Sequence, residues 1–539
     1  IDIPECETWL WCNDGAENRD FGKFPTYTNI NKYVSSAAHL EGKKIVSCEE
    51  GTNLGAVFNM TMERMKVTCD QSNLSGVTHS VLCGFNYSPI EAPFPGWVRY
   101  GMYLNDQNTW WPYFKLFAAY KTRLSVILQE TEAFADIAIL HPLADMWTIH
   151  GPQRDPFPRL RYPEYQYRVW EGIHKNGNGC DYISESVMQQ SAMGNGWMKY
   201  KNRTYNTIML LEVETMMPAT ADALLQFVKK GGKVIFVGKE PCKSSGLRDY
   251  KKNDKKVAQA VAAMKRANPS QVFTVKAPAD DMIDWFGNIQ KQCDIRPYMK
   301  IDRPVTYISQ IRHQADGKDI FFVSNCSTDD RYKIQATFPE SKGKPFLWDL
   351  ETGERYHYPA ASGNTLTIDL PPAHTQLIVF DTKSEGLDYP ALPVEKPGKE
   401  LSPWHLRMEH INGTTQERAI QSLLDLSTDE QTRSFAGYLT YEKKLEGDIS
   451  SFNWLDLGKV FGVSEVSLNG ENLGCRWYGR HLYRIPEHSA KADEKILRIK
   501  ITTTLGNYFK SNPENKVGYG WTRNQTWQPV GMLGPVKLL

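Results

Sequence analysis

Two adjacent carboxylates, Glu49 and Glu50, follow a short apolar run in the stretch KKIVSCEEGTNLG. The run predicts a buried β-strand that ends in these acids. Because successive strand residues face opposite sides, the two acids are expected to have different surroundings. A third acid, Glu7, lies in the stretch DIPECETW, which is predicted to form a strand ahead of this one. Paired carboxyl groups at strand ends suit general acid–base chemistry such as glycoside hydrolysis, in which one group is protonated and the other is ionised.

Each acid also has a structural interpretation. A glutamate at a strand end can face solvent or pair with a nearby arginine, and this remains the alternative for Glu49. An ion pair at the same edge is the alternative for Glu7. Glu50 is a candidate substrate contact. Its expected role is structural, namely to support the turn over residues 51–53.

Aromatic side chains form the second group with chemical potential. They make up 12% of the chain, with 15 Trp and 26 Tyr, and flat rings of this kind stack on sugar rings. Those on or after predicted strand ends, where binding residues concentrate, are Trp9, Tyr87, Trp97, Trp110 and Trp111. Asn86 adds a polar group for hydroxyl recognition. Trp110 is expected to form the hydrophobic start of the following helix and not to bind sugar. For Trp111 both roles, sugar stacking and helix start, remain open. Trp477 and Trp527 are further candidates, for which a structural role is the expectation.

Composition excludes several other functions. Lys and Arg number 63 against 62 Asp and Glu, a net charge of +1, which gives no electrostatic basis for binding nucleic acid or an anionic membrane. No window approaches the roughly 18 apolar residues of a membrane span. The first residues, IDIPECETWL, are not a signal peptide and begin at Ile1 without a Met, so the residues leave export open. The ten Cys lack paired spacing and predict mostly free buried thiols, without a zinc site or disulfide framework.

The elements that must position these residues alternate between strands and helices up to about residue 130. KKIVSCEE predicts a strand, LGAVFNMTMERMKVTCDQSNLSG a helix, VTHSVLCGFNYSP a strand and YFKLFAAYKTRLSVILQ a helix, with DIPECETWLW as a strand ahead of them. This order predicts a parallel sheet. Three such units over residues 1–130 are interpreted as the closing part of a (β/α)8 barrel, which takes about 250 residues in full.

The rest of the chain predicts a multidomain α/β plus all-β protein. Residues 131–295 alternate strands and helices as in a doubly wound, flavodoxin-like domain that lacks a nucleotide-binding glycine turn. Its second predicted strand is CDYISESVM. Residues 296–384 have the period of two of an antiparallel β-sandwich, 385–403 form a linker, and 404–539 are again strand-rich, with a hairpin turn at Asn469-Gly470.

The last block carries a family resemblance. The segments FAGYLTYEKKL, LDLGKVFGVSEVSLNGENLG and GMLGPVKLL resemble the galactose-binding-like jelly-roll of exo-acting glycoside hydrolases. The upstream segments ADIAILHP, FVKKGGKVIFVG and LWDLETGE agree in order. The whole chain resembles glycoside hydrolase family 106, the α-L-rhamnosidases of polysaccharide-degrading bacteria, in which a (β/α)8 barrel precedes these domains. The jelly-roll motif by itself is shared by several glycosidase families.

The resemblance assigns roles residue by residue. The segment YVSSAAHLEGKKIVSCEEGTN matches the family at Ser36, Ala37, Ala38, His39, Gly42 and Lys43. Glu49, and not Glu50, then falls on the family's strand-end glutamate, which implies inversion with Glu49 as general base. Glu7 and Trp9 fall at the same edge, with Glu7 as a second carboxylate or a substrate or metal ligand. His39 is a candidate substrate contact, with packing or capping as the expectation. Cys83 stands where the family often has a His.

The resemblance also implies partners. The general acid is expected on barrel strand four, upstream of Ile1, so an N-terminal segment or second chain would complete the barrel. The implied substrate is a rhamnose-containing side chain of a plant polysaccharide, cleaved by a secreted or periplasmic enzyme. Ca²⁺ is suggested by the resemblance alone, and no other cofactor or metal is expected.

Three hypotheses follow. The first is an inverting, exo-acting α-L-rhamnosidase with Glu49 as base. The second is a retaining glycosidase of the β-galactosidase type with Glu49 as nucleophile. The third is a non-catalytic carbohydrate-binding protein derived from such an enzyme, in keeping with Cys83 and the acid expected outside this chain.

Overall fold

A computed structural model describes residues 2–10, 27–151, 162–166, 168–279, 281–359, 361–390, 393 and 398–539. The predicted mixture of α/β and all-β regions is confirmed: two parallel sheets lie in the first half of the chain and antiparallel sheets in the second. Cys12 and residues 391–392 and 394–397 of the predicted linker lie outside the described residues.

The first region is a three-stranded parallel sheet with helices between its strands. Its elements are β1 (Glu5–Leu10), α1 (Tyr27–Leu40), β2 (Ser47–Asn53), α2 (Met62–Leu74), β3 (His79–Leu82) and α3 (Phe114–Glu130). The strand order is β1-β2-β3. All three strands therefore present their carboxyl ends at one edge, and the candidate acids of β1 and β2 lie within the strands, side by side on the sheet.

Two predicted boundaries in this region are wrong. Strand β2 begins at Ser47 and runs past both acids to Asn53, instead of ending at them. Helix α2 begins at Met62 and not at Leu54, because Thr61 caps it: the Thr61 side chain accepts a hydrogen bond from the Arg64 N–H.

The second region is a five-stranded parallel sheet with order β12-β11-β10-β5-β6. Its elements, after a two-residue strand β4 (Glu132–Ala133), are β5 (Ile137–Leu140), α4 (Leu143–His150), α5 (Val169–Lys175), β6 (Cys180–Ile183), α6 (Glu185–Gln190), β7 (Ala192–Gly194), β8 (Trp197–Tyr200), β9 (Arg203–Tyr205), β10 (Thr207–Leu211), α7 (Pro218–Lys229), β11 (Lys233–Val237), α8 (Tyr250–Ala267), β12 (Val272–Val275) and α9 (Met282–Gln292). The segment CDYISESVM is a strand only to Ile183, because Ser184 caps helix α6.

The third region has two antiparallel sheets around one apolar core. Its strands are β13 (Lys300–Ile301), β14 (Ile308–Ala315), β15 (Lys318–Asn325), β16 (Tyr332–Thr337), β17 (Lys344–Trp348), β18 (Arg355–His357), β19 (Ala361–Ser362), β20 (Thr365–Leu370) and β21 (Thr375–Asp381). Strand β4 extends the larger sheet by pairing with β14, so this sheet reaches back across the predicted boundary at residue 296.

The last region is also antiparallel. Its elements are β22 (Lys399–Glu400), β23 (Trp404–His410), β24 (Thr415–Ile420), β25 (Gly437–Lys444), β26 (Trp454–Asp456), β27 (Lys459–Phe461), β28 (Val463–Leu468), β29 (Glu471–Arg476), β30 (Leu482–Arg484), α10 (Glu487–Ala490), β31 (Ile496–Thr502), α11 (Gly506–Lys510), α12 (Lys516–Thr522), β32 (Gly531–Gly534) and β33 (Lys537–Leu538). The hairpin turn at Asn469-Gly470 is confirmed: both residues have positive φ, 55° and 82°, and they connect β28 to β29. Strand β22 lies inside the predicted linker and pairs with β33.

One apolar cluster joins the first, third and last regions. Helices α2 and α3 pack on the outer face of the six-stranded sheet that contains β14, β15 and β21, and Trp477 and Tyr478 of the last region close the same cluster. The sheet that supports the carboxylates is thereby held by the two all-β regions.

Candidate active site

The carboxylates Glu7 and Glu49 are directly in register on the parallel strands β1 and β2. Their side chains lie on the same face, away from Cys6 and Cys48, which are buried beneath the sheet. Each carboxylate is held by a neighbour on its own strand: Trp9 Nε1 donates to Glu7 Oε1, and Thr52 Oγ1 donates to Glu49 Oε1 at 3.3 Å. Both glutamates are half-buried, so a ligand can reach them.

A β-bulge at Gly51 makes the second of these contacts. Residues three apart on a regular strand face opposite sides, yet Thr52 shares a face with Glu49, because the register shifts so that Thr8 pairs with Glu50 and Trp9 pairs with Thr52. Gly51 has φ +88°, a conformation that L side chains rarely adopt, so the position favours glycine; a Cβ there would also stand 2.2 Å from Cε at the flexible end of the Met102 side chain. Thr52 was not among the predicted site residues, although a glycine within a strand is a signal for a bulge.

Cys83 adds a thiol to this cluster. It directly follows β3, and its backbone N–H donates to Glu50 O of β2 at 2.7 Å, which places its side chain near Glu49. Burial, with the nearby Glu49 carboxylate, raises the pKa of the Cys83 thiol, so the thiol stays protonated and neutral. The face at the carboxyl ends of the three strands therefore combines two carboxylates, an indole, a hydroxyl and a thiol.

Glu50 is separated from these groups. Its side chain is fully buried on the opposite face, with Lys121 Nζ of α3 at 3.6 Å from Glu50 Oε2. Burial is the largest influence on the Lys121 pKa and lowers it, but Glu50, together with Cys69, Asp70 and Cys48, outweighs burial, so the Lys121 pKa is raised. The prediction that Glu50 contacts the substrate is corrected accordingly, because the Glu50 side chain lies beneath the sheet. Its charged partner is Lys121, so the expected support of the turn over residues 51–53 is corrected as well.

His39 is also remote from the carboxylates. It lies in the last turn of α1, and its Nδ1 is 2.9 Å from Asp181 Oδ1 of β6. Burial alone would raise the Asp181 pKa, but Lys32, His39 and Arg203 hold it well below the usual value. Burial lowers the pKa of His39 itself, so His39 is part of a buried hydrogen-bonded contact between the two parallel sheets. The candidate substrate role of His39 is corrected, since the packing alternative describes its position.

The aromatic candidates divide into two groups. Trp110 is buried at 3% exposure and donates from Nε1 to Met60 O, which confirms the helix-start interpretation. Trp111 stacks on Phe114 with centroids 4.9 Å apart, and is half-buried. Tyr87 and Trp97, by contrast, are 76% and 67% exposed in the loop after β3.

Asn86 belongs to the same loop. Its Nδ2 donates to Tyr100 O at 3.4 Å, and its backbone N–H donates to Leu104 O at 2.9 Å. Asn86 is half-buried, and its Oδ1 is itself buried and has no hydrogen-bond partner among the residues that the structure describes. These contacts tie the start of the loop to the segment that precedes α3.

The two tryptophans of the last region have structural surroundings. Trp477 is 2% exposed and donates from Nε1 to Glu351 Oε1 at 3.0 Å. Its ring is therefore buried, which corrects the alternative that Trp477 binds carbohydrate. Trp527 is half-buried, with the Arg433 guanidinium 5.0 Å and the Lys510 ammonium 5.5 Å from its ring centroid. These cations occupy ring surface that a sugar would need.

A cation at this edge has only part of a ligand set. Glu7 and Glu49 supply carboxylate oxygens of the type Ca²⁺ prefers. Within the ranges that the structure describes, no group of three or more His, Cys, Asp or Glu side chains could hold a metal ion. Ca²⁺ therefore stays a prediction without an assigned site. In the same ranges, no helix is both long enough and apolar enough to cross a membrane.

Comparison with known proteins gives three findings. The sequence model of glycoside hydrolase family 106, described as alpha-L-rhamnosidase, matches residues 1–358. The structure of a rhamnosidase from Novosphingobium sp. PP1Y matches with a TM-score of 0.70 at 21% identity, covering 100% of this chain and 51% of that chain. A putative beta-glucuronidase from Formosa agariphila is 26% identical over 364 residues, which cover 65% of this chain and 27% of the relative. The chain thus spans about half the length of the rhamnosidase structure.

Proposed function

Because this chain belongs to glycoside hydrolase family 106, the alpha-L-rhamnosidases, we propose that the protein hydrolyses α-L-rhamnosides at the face of the parallel sheet β1-β2-β3 that carries Glu7 and Glu49. The observation that carries the proposal is the in-register pairing of Glu7 and Glu49 on that face. Two half-buried carboxylates, each held by a hydrogen bond, are suited to acting on a glycosidic bond.

Glu49 is the general base of the proposed reaction. Its Oε1 accepts from Thr52, which leaves Oε2 to take a proton from the attacking water. Glu7 lies beside it on the same side of the sheet, and neighbouring strands are about 4.8 Å apart. That separation is shorter than the roughly 6.5–9.5 Å of an inverting pair, so Glu7 is not the general acid of the proposed reaction. We therefore assign Glu7, with Trp9, to binding the sugar that Glu49 acts on.

The general acid of an inverting reaction stands about 6.5–9.5 Å from the base, across the scissile bond. In a closed barrel that position belongs to a strand facing β1 and β2 and not to a neighbouring one. The proposal therefore includes a (β/α)8 barrel, of which β1–β3 are part, with the acid on a strand other than these three. Family membership is the support for this, for inversion, for an exo-acting enzyme on plant polysaccharide side chains, and for secretion.

Substitution of the base tests the proposal. In the full-length protein, Glu49→Gln should lower kcat on an aryl α-L-rhamnoside by about 10²- to 10⁴-fold, because it removes general-base assistance. The matched control is Glu5→Gln, which makes the same change at the exposed amino end of β1. It should leave kcat unchanged. Retained activity in Glu49→Gln would remove Glu49 from the mechanism.

Product analysis tests the stereochemistry. NMR that resolves the anomers of the first product should detect the inverted sugar before mutarotation. Release of the retained anomer would instead require a covalent intermediate and a nucleophile. No turnover of any α-L-rhamnoside by the full-length protein would favour a carbohydrate-binding protein.

A further inference from the structure

The loop over residues 84–101, here called the rim loop, follows β3 directly and exposes an unusual amount of apolar surface. Its exposed members are Phe85 at 56%, Tyr87 at 76%, Ile90 at 96%, Trp97 at 67% and Tyr100 at 36%. Single exposed apolar residues are normal on a soluble protein, but a concentration of them in one loop marks an interaction surface. Three of the five are Tyr or Trp, the types that present both an apolar face and a polar edge.

The backbone of the rim loop is held by the last region of the chain. Trp521 Nε1 of α12 donates to Val98 O at 3.1 Å, and Asn515 Nδ2, which caps that helix, donates to Phe94 O at 2.8 Å. The side chains of Phe94 and Val98 pack against a core that includes Phe509 of α11. The loop thus turns these two apolar residues inward while its other aromatic residues stay exposed.

A further contact from within the first region supports the same segment. Tyr103 OH donates to Pro95 O at 2.9 Å, and the Tyr103 side chain is fully buried. The Trp97 N–H donates to Ser88 Oγ at 2.8 Å, which ties the two arms of the loop together. A loop ordered in advance loses little conformational entropy when a ligand binds, so the exposed rings are suited to recognition.

The rim loop is continuous with the carboxylate pair. Both ends of the loop are tied to β2: the backbone N–H of Cys83, the residue before the loop, donates to Glu50 O at 2.7 Å, and the Gly101 N–H donates to Asn53 O at 2.8 Å. The Phe85 ring lies 5.7 Å from that of Trp111, at the start of the segment leading into α3. The rim loop therefore begins and ends on the strand that carries Glu49.

We propose that the rim loop is the binding subsite for the leaving-group side of the substrate, and that this leaving group is a saccharide. The inference rests on the proposed function. In an exo-acting enzyme the terminal sugar contacts the carboxylates, and whatever it is attached to must project out over the rim. Tyr87 and Trp97 offer ring faces to a pyranose there, and the helices α11 and α12 hold them in position.

Two substrates with the same terminal sugar separate this role from catalysis. α-L-Rhamnosyl fluoride has a one-atom leaving group that cannot reach the rim, whereas a rhamnosyl oligosaccharide carries sugar rings across it. Trp97→Ala and Tyr87→Ala in the full-length protein should each lower kcat/KM for the oligosaccharide about 10-fold, the loss expected for one important aromatic contact. Turnover of the fluoride should stay within about 2-fold. The matched control is Trp147→Ala, since Trp147 is 62% exposed on α4 of the other parallel sheet.

The possible outcomes are distinct. Equal loss on both substrates, or no loss on either, would overturn the subsite. A fall in melting temperature for Trp97→Ala but not for Trp147→Ala would also overturn it, because the rim would then be covered by another part of the protein. If the unmodified protein cleaves neither substrate, it is the proposed function that fails.

Discussion

Replacing Lys121 by Met tests why the two adjacent glutamates of β2 have separate roles. Glu50 is fully buried, and neither of its oxygens has a hydrogen-bond partner within the described structure. The ammonium of Lys121, 3.6 Å from Glu50 Oε2, is the charge that compensates it. Lys121→Met therefore leaves a buried carboxylate without a counter-ion, one residue from Glu49.

The expected loss follows from that distance. Two unit charges 3.6 Å apart attract by about 4–5 kcal/mol at an effective dielectric constant of about 20. Breaking a buried ion pair from one side usually costs about 3–5 kcal/mol. We expect Lys121→Met to lower the free energy of unfolding by about 3–5 kcal/mol at neutral pH.

A double-mutant cycle provides the assay. Urea unfolding, followed by tryptophan fluorescence, compares Lys121→Met, Glu50→Gln and the double variant, which lacks both charges and should regain most of the loss. Lys115→Met is the control, since Lys115 is exposed on the same helix and its loss should cost less than about 0.5 kcal/mol. If the losses in unfolding free energy of the two single variants simply add in the double variant, Lys121 and Glu50 do not stabilise each other, and the reasoning is refuted.

Two further predictions concern the bulge and a buried acid of α2. Gly51→Ala should destabilise by about 2–4 kcal/mol, from backbone strain at φ +88° and the 2.2 Å approach to Met102. Gly42→Ala, at φ +68° in open space, should cost only about 1 kcal/mol, and equal losses in urea unfolding would contradict the clash. Burial raises the Glu63 pKa to about 7 from 4.5, so its stabilising contribution is complete below about pH 4.5 and is lost as the pH rises through 7. Glu63→Gln should flatten the melting temperature between about pH 5 and 8, whereas an unchanged slope would contradict the assignment.

Much of the organisation was readable from periodicity. The alternation of apolar runs predicted the parallel sheets, the period of two predicted the antiparallel regions, and Asn469-Gly470 predicted its hairpin. Strand and helix limits were less accurate, because single side-chain contacts decide them. Thr61 delays the start of α2, and Ser184 converts the end of a predicted strand into α6.

For the candidate site, the sequence by itself determined that Glu7 and Glu49 meet, since each lies in a segment that becomes a strand of one parallel sheet. Only the tertiary structure decided what surrounds them. Gly51 signalled a bulge, but only the pairing of β1 with β2 showed that the bulge turns Thr52 to the face of Glu49. His39 has a partner 142 residues away, in another sheet. The rim loop takes its shape from Trp521, more than 400 residues along the chain, because burial and hydrogen bonding join residues by distance in space and not in sequence.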